Sequence, residues 1–516
     1  MKNFKGKILN KDNAERYIII FVLTLLPIMA CYIINGSISK VYLPNSPWND
    51  EIFYYKMIGA FADYNEPLGY FGYNESHAAI GNLGPWSPFL LLPYVLYAKL
   101  IGWSLMSPIY CNLLMMTAAM FVFVFLVRPD RKQAFFICVV YCLNYYYTRY
   151  IFSVMVETYI NALFLLFFSI SFGMFKELGK GHTKGRKFIV VTNILAVLMT
   201  LARPYYVLLF VVPGYCWYKT SSKKLGIILQ TIIAGVCILL YFVCSKYFCA
   251  AYFTDIVETE WLKMIFTDTF MGIRNALKIL ISSTYQMLRY IGNGIVSGDM
   301  VGSSWAVMLA VCVWIYYRWH EDNKNMKFFW AYCLVYLLLM ILAVYYMYSI
   351  YTGSRHIATF TFIAIFMVAV FEKSNKLKAY IAVLFIWCFC IRATDTYYYE
   401  IPTYTDEKAA VIQSGVSELS GYNMIDEYSD NPWDNTIIWM LSDSQTLDFT
   451  CLYAVPDGMG INLCTQEYVQ NHFDSLEAKY IMTYNGGGID SICSTLGKEL
   501  LAEYSDVHIW RLRGGE

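Results

Sequence analysis

Apolar positions along this chain come in long unbroken runs, not in the alternating or 3.6-residue patterns of soluble domains. Eleven runs are readable, at roughly residues 17–35, 107–127, 133–147, 155–173, 188–202, 205–218, 225–245, 303–317, 328–348, 356–372 and 378–391. A helix needs about 20 apolar residues to cross the hydrocarbon layer, and shorter runs are accommodated by tilt or local thinning. The pattern predicts a polytopic α-helical membrane protein with about eleven transmembrane helices. Two long segments interrupt it, 36–106 and 246–302. In the first, Pro85-Trp86-Ser87-Pro88-Phe89-Leu90-Leu91-Leu92-Pro93-Tyr94 is apolar but Pro-rich, and reads as a helix at the membrane interface rather than a twelfth span. In the second, Lys263, Arg274, Lys278 and Arg289 punctuate apolar residues at partly helical spacing, which suits an interfacial amphipathic helix.

After Ile391 the pattern changes. Residues 396–516 are rich in Asp, Glu, Ser, Asn and Gly and have room for a small α/β domain beside the membrane domain 1–395. Asn435–Leu441, Ala478–Thr483 and Val507–Leu512 read as short strands, Ser494–Tyr504 as a helix, and Gly486-Gly487-Gly488 as a turn. Gly458-Met459-Gly460 is too short and badly spaced for a dinucleotide loop. No internal repeat at a fixed period is evident.

Composition agrees with the membrane reading. The chain is 58% hydrophobic and 15% charged, against about 25% charged in soluble domains. A net charge of +1 gives no support for nucleic-acid binding. The placement of Lys and Arg is more telling. With the N-terminus inside, the short inner segments hold 22 of the 39 basic residues in about fifty-five positions. Basic residues resist translocation, so the N-terminus reads as cytoplasmic and the C-terminal domain as extracytoplasmic, in a plasma membrane. The first apolar run exceeds a signal-peptide core and lacks a small-residue cleavage site, so it reads as a retained span. Most of the fifteen Cys lie within spans; Cys451, Cys464 and Cys493 fall outside and allow one disulfide at most. The sequons Asn35-Gly36-Ser37 and Asn74-Glu75-Ser76 carry no weight, because such triplets arise often by chance.

Ionisable groups within or beside spans are costly and default to functional roles. In this topology four such places reach the outer face: Asp50 and Glu51 on the first outer loop, Glu157 at the start of the fourth span, Arg203 at the turn between the fifth and sixth, and Arg355 with His356 at the start of the tenth. Acids facing cations suit transfer from a phosphate-linked donor. Guanidinium groups bind phosphate through forked, charge-assisted hydrogen bonds, and a carboxylate can deprotonate an incoming hydroxyl. A second acid can orient the acceptor, raise the pKa of the base, or hold a divalent metal. Aromatics around the acids, Trp48, Phe53, Tyr54, Trp86 and Tyr94, suit a sugar ring or polyprenyl chain, although aromatics also collect at interfaces without catalytic reason.

The stretch Asp50-Glu51-Ile52-Phe53-Tyr54-Tyr55, followed by Pro85-Trp86-Ser87-Pro88-Phe89 and Leu100-Ile101-Gly102, resembles the start of GT-C-type glycosyltransferases. The protein O-mannosyltransferases and the bacterial aminoarabinose transferase of lipid A have this order of elements, with an acid like Glu157 at the fourth span. The resemblance covers residues 15–175 in pattern and the remainder in architecture. It implies a GT-C-like fold and transfer of a sugar from a polyprenyl- or dolichyl-phosphate donor to an envelope glycan, lipid or protein, usually with inversion. It makes Asp50 the candidate base and Glu51 its support; Arg203, Arg355 and His356 are the donor-phosphate candidates from the charge pattern. No cofactor is required, and the first loop lacks the Asp-x-Asp that goes with metal dependence in oligosaccharyltransferases. The Gly84-Pro85-Trp86-Ser87-Pro88 segment lacks the basic residue and adjacent prolines of aminoarabinose transferases, leaving acceptor recognition open. Two alternatives share the outline. O-antigen-type polymerases and ligases place key residues in later outer loops, and lipid or glycan transporters usually show internal repeats and broken midplane helices.

Overall fold

The computed structural model describes residues 11–34, 50–65, 71–75, 87–179, 186–220, 223–248, 260–321, 324–347, 354–392, 424, 429, 431–441, 455–504 and 507–513. The first half comprises α1 (Lys11–Ile34), α2 (Asp50–Tyr64), strand β1 (Phe71–Tyr73), a 3-10 turn at Pro88–Leu90, α3 (Leu92–Ile101), α4 (Ser107–Val127), α5 (Arg131–Leu143), α6 (Tyr145–Ile151), α7 (Glu157–Gly179) and α8 (Arg186–Ala202). A 3-10 segment, Pro204–Phe210, leads into α9 (Val211–Thr220) and α10 (Lys223–Phe248). Then come α11 (Glu260–Thr267), α12 (Thr269–Ser297), α13 (Met300–Glu321), α14 (Lys324–Met347), α15 (Ser354–Phe371) and α16 (Asn375–Arg392). Most apolar runs of the sequence fall on a single helix, while 133–147 covers α5 and α6 and 205–218 covers the 3-10 segment and α9. Among the described residues, five helices (α4, α7, α10, α13 and α14) are long and apolar enough to cross a membrane.

Burial separates the centre of the bundle from its rim. The apolar window of α7 is 83% buried, and it packs on α4, α8 and α15, whereas that of α10 is only 17% buried. Most of the side chains α10 turns outward are apolar, including Leu225, Leu239 and Phe242, which suits a helix bathed in lipid. Local signals set the breaks. Asp130 starts α5 through a reciprocal cap, its carboxylate accepting from Gln133 N while Asp130 N donates to the Gln133 side chain, both at 2.9 Å. At Asn144 an extended backbone separates α5 from α6 within the third apolar run. Helix α3 has ten residues, about 15 Å at 1.5 Å per residue, half the thickness of a hydrocarbon core.

The C-terminal residues supply five strands of a six-stranded sheet completed by β1, namely β2 (Thr436–Leu441), β3 (Gly460–Thr465), β4 (Tyr480–Tyr484), β5 (Glu499–Tyr504) and β6 (Val507–Arg511), plus α17 (Gln466–His472) and α18 (Gly488–Thr495). The strand order is β1-β3-β2-β4-β6-β5, parallel through β4 and antiparallel beyond. Alternation along β2 gives the sheet two apolar faces. Ile437 and Trp439 belong to the core that runs on through the membrane helices, whereas Ile438 and Met440 pack with Val469 and Ile489 beneath α17 and α18.

Two features depart from the sequence reading. The segment Ser494–Tyr504 is not a helix, because α18 ends at Thr495, Gly497 turns with φ +64°, and Glu499–Tyr504 pairs with β6. Its propensity loses to the backbone bonds offered by a neighbouring strand. In addition, the edge strand β1 comes from the first long loop, nearly four hundred residues earlier. Asn74 and Glu75 hold it there: Thr465 N donates to Asn74 Oδ1 at 3.0 Å, and Glu477 N and Ala478 N donate to Glu75 Oε1 at 2.8 and 2.9 Å. The amide of the Asn74 sequon is thus engaged in the fold. Cys464 and Cys493 are free, buried thiols, each pushed up to about 12 by burial; Cys451 lies outside the described residues.

Asp490 ties α18 to the sheet. Burial alone would raise its pKa, but hydrogen bonds from Thr483, Gly486 N, Trp510 and His508 outweigh it and hold the carboxyl below its ordinary value. A depressed folded-state pKa contributes stability that is present above the unfolded value, about 3.9 for Asp, and lost as pH falls through the folded value. Hydrogen-exchange protection of residues 480–511 is therefore expected to be steady above that pH and to fall below it. The acid limb should flatten in Asp490→Asn, and an unchanged limb in that variant would contradict the assignment.

Candidate active site

Helix α2 begins at Asp50, so the acid pair occupies its first turn, where the helix dipole favours negative charge. The side chain of Asp50 lies outside the described residues. Glu51 is buried, and its Oε1 accepts a 2.6 Å hydrogen bond from Ser153 Oγ. Ser153 belongs to an irregular stretch between α6 and α7, and its hydroxyl also accepts from Met155 N at 2.9 Å.

That stretch is held by Asn112, a wholly buried amide in the second turn of the apolar helix α4. Its Nδ2 donates to the carbonyls of Tyr150, Ile151 and Ser153 at 3.2, 3.0 and 2.7 Å, and its Oδ1 accepts from Tyr94 Oη at 2.7 Å. Burial, and then nearby Cys111 and Glu157, push the Tyr94 phenol well above its ordinary pKa and keep it a donor. Asn112 thus positions the partner of Glu51. Sequence reading passed over it, although a lone Asn inside an apolar run was the available signal. Tyr94, one of the aromatics offered for sugar stacking, is fully buried and committed to Asn112, so its face is not open to a sugar. Trp48 and Trp86 lie outside the described residues, as does the side chain of Phe53; Tyr54 is buried.

Three of the remaining candidates converge. Glu157 is the first residue of α7, Arg203 follows the last turn of α8, and His356 lies in the first turn of α15. Arg203 Nη2 donates to Glu157 Oε1 at 3.3 Å, with both side chains almost wholly buried. Arg203 Nη1 meets His356 Nδ1 at 3.0 Å and Tyr205 Oη at 3.2 Å, and Tyr205 Oη lies 3.2 Å from the same ring nitrogen. A guanidinium only donates, so His356 Nδ1 is the acceptor and carries no proton. An acid at a helix N-terminus and a cation at a helix C-terminus are each favoured by the backbone dipoles. Arg355 is the second residue of α15, and its side chain lies outside the described residues.

An apolar cavity of about 70 Å³ lies between α7, α14, α15 and the 3-10 segment after α8, lined by Phe164, Leu209, Tyr332, Tyr336, Phe360 and Met367. A larger depression, about 740 Å³, lies on the exposed face of α12 beside Arg274 and Lys278 and shares no residue with the acids. Among the described residues no three His, Cys, Asp or Glu side chains stand together as a metal site.

No family model matches the sequence, and no curated protein matches it. The fold has a counterpart. The crystal structure of the Archaeoglobus fulgidus oligosaccharyltransferase, a complex with zinc and sulfate, superposes with a TM-score of 0.51 at 11% identity, covering 91% of this chain and 67% of that one. The chain has an oligosaccharyltransferase-like fold. ArnT from Cupriavidus metallidurans aligns at lower TM-scores, 0.44 without ligand and 0.42 with undecaprenyl phosphate bound, at 11% identity each. Those alignments cover 98% and 96% of this chain and 100% and 98% of ArnT. The GT-C resemblance read from the sequence therefore holds for the fold, and on this oligosaccharyltransferase-like frame the Glu157–Arg203–His356 cluster joins three helices.

The Asn112 clamp gives a direct test. Asn112→Ala strips three carbonyls and the Tyr94 hydroxyl of their partner, at about 1–3 kcal/mol for a buried group left unsatisfied. The detergent-solubilised variant should melt at lower temperature, with amide exchange around residues 150–156 accelerated. Wild-type protection there would show that the clamp does not hold Ser153.

Proposed function

We propose that this protein transfers a sugar from a polyprenyl-phosphate donor to a cell-envelope glycan, lipid or protein on the extracytoplasmic face of the plasma membrane. The N-terminus is cytoplasmic and the C-terminal domain faces outward in this reading. The observation that carries it is the buried Glu157–Arg203–His356 cluster on an oligosaccharyltransferase-like fold whose helix α2 begins with an acid pair. The Archaeoglobus enzyme supports the reaction class by its name, and the bound undecaprenyl phosphate of ArnT is consistent with the donor class.

In the proposed reaction an acceptor hydroxyl attacks the anomeric carbon opposite the phosphate. Its oxygen forms the new glycosidic bond as the bond from carbon to phosphate oxygen breaks, which inverts the anomeric centre. Asp50 takes the hydroxyl proton. Glu51, fixed by Ser153, adds negative charge beside Asp50 and raises the affinity of that base for a proton. The leaving polyprenyl phosphate gathers charge, which Arg203 and Arg355 stabilise. Glu157 and His356 fix the direction of the Arg203 guanidinium. No step is assigned to a metal.

Asp50→Asn is expected to lower transfer about 10²–10⁴-fold, the usual contribution of a general base, while the protein inserts normally. Full activity in that variant would remove Asp50 from the base role. Arg203→Lys keeps the charge but loses the planar fork, and should raise the donor KM by about tenfold or more. An unchanged donor KM would exclude Arg203 from phosphate binding.

A further inference from the structure

The C-terminal domain reaches the helix that carries the acid pair. Ahead of β3, the backbone at Val455 and the side chain of Asp457 meet Lys56 on α2, one to two turns beyond Glu51. Lys56 is buried; its Nζ donates to the carbonyl of Val455 and lies 3.2 Å from Asp457 Oδ1. Three residues on, Gly59 presents bare backbone to the same carboxylate, and a Cβ there would collide with Asp457 Oδ2. Positions three apart share a helix face, so Lys56 and Gly59 form one socket for Asp457. Gly458 completes the turn with φ +94°, a conformation that favours glycine. Asp63, a turn further along, is also affected: burial first and then the Asp457 charge raise its pKa.

This contact has a mechanical consequence. Near its start α2 is held by Ser153 on Glu51, and on another side Trp103 Nε1 donates to the Tyr55 carbonyl at 3.0 Å. Lys56–Asp457 adds a hold from a separate unit of the chain. Together these contacts constrain how far the helix can rotate or slide. We propose that Lys56, Gly59 and Asp457 are positioning residues through which the C-terminal domain sets the placement of α2, and with it of Asp50 and Glu51. The catalytic part of this rests on the glycosyltransferase reading above. A base must lie within hydrogen-bond reach of its proton, and misplacement by 1 Å can cost about 10²-fold in rate.

The test uses full-length protein in detergent with Asp457→Asn, Gly59→Ala and the double variant Lys56→Gln/Asp457→Asn. Gly59→Ala disturbs the socket without removing a charge, and the double variant leaves no lone buried charge if Asp457→Asn does not fold. Amide exchange across residues 50–64 should accelerate about tenfold or more, while residues 480–511 keep wild-type protection and so report an intact domain. The kcat for transfer should fall about 10–100-fold, with the KM for a polyprenyl-phosphate sugar within about twofold of wild type. Unchanged exchange across 50–64 in folded variants overturns the proposal, and so does accelerated exchange with unchanged kcat. If the wild-type protein turns over no such donor, the glycosyltransferase reading fails by itself, and the exchange result still decides whether the domain holds α2.

Discussion

The burial of Arg203 against Glu157 is the constraint around which the helical domain is arranged. An isolated charge in a low-dielectric interior costs several kcal/mol, and a buried pair is tolerated only when geometry and further hydrogen bonds compensate. Here Arg203 also reaches His356 and Tyr205, so the pair sits in a small polar network. The network joins the end of α8 to the first turns of α7 and α15, and α7 is the most buried of the five helices long and apolar enough to cross a membrane. Satisfying one guanidinium therefore fixes the relative heights of three helices. Such a pair adds little to stability compared with apolar packing, so it fits a device for placing charge better than one for holding the fold.

A second polar network repeats this logic at Glu51. Asn112 bonds three carbonyls and thereby shapes the stretch that offers Ser153 to the acid. Both networks depend on the irregular residues between α6 and α7. Ser153 stands at one end of that stretch and Glu157 at the other, so the two acids are set by one short piece of backbone.

The helices were legible because lipid demands long apolar runs, and the run at 107–127 coincides with α4 residue for residue. Glu157, Arg203 and His356 were legible because charge beside an apolar run is rare and needs a reason. Asn112 was not, since a neutral amide in a span resembles a tolerated polar residue until its three carbonyl partners are seen. Lys56 and Asp457 were beyond reach for another reason: each is ordinary locally, and their meaning lies in a contact about four hundred residues apart. The same distance hid β1, whose three residues have no strand pattern of their own and are ordered by pairing with β3. In Glu499–Tyr504 local preference pointed to helix, and the hairpin with β6 overrode it. Sequence pattern thus conveyed the membrane-facing parts, where solvent imposes the rule, and lost the parts ordered by distant partners.

The central claim is that the clustered acids and cations serve sugar transfer from a lipid monophosphate. Incubating purified protein with a panel of polyprenyl-phosphate monosaccharides and acceptor-containing envelope extract tests it most directly. The account predicts release of polyprenyl phosphate with at least one sugar, matched by sugar appearing on the acceptor. Turnover of polyprenyl-diphosphate oligosaccharides alone, or movement of the lipid-linked sugar across a vesicle membrane with its phosphate bond intact, would contradict it.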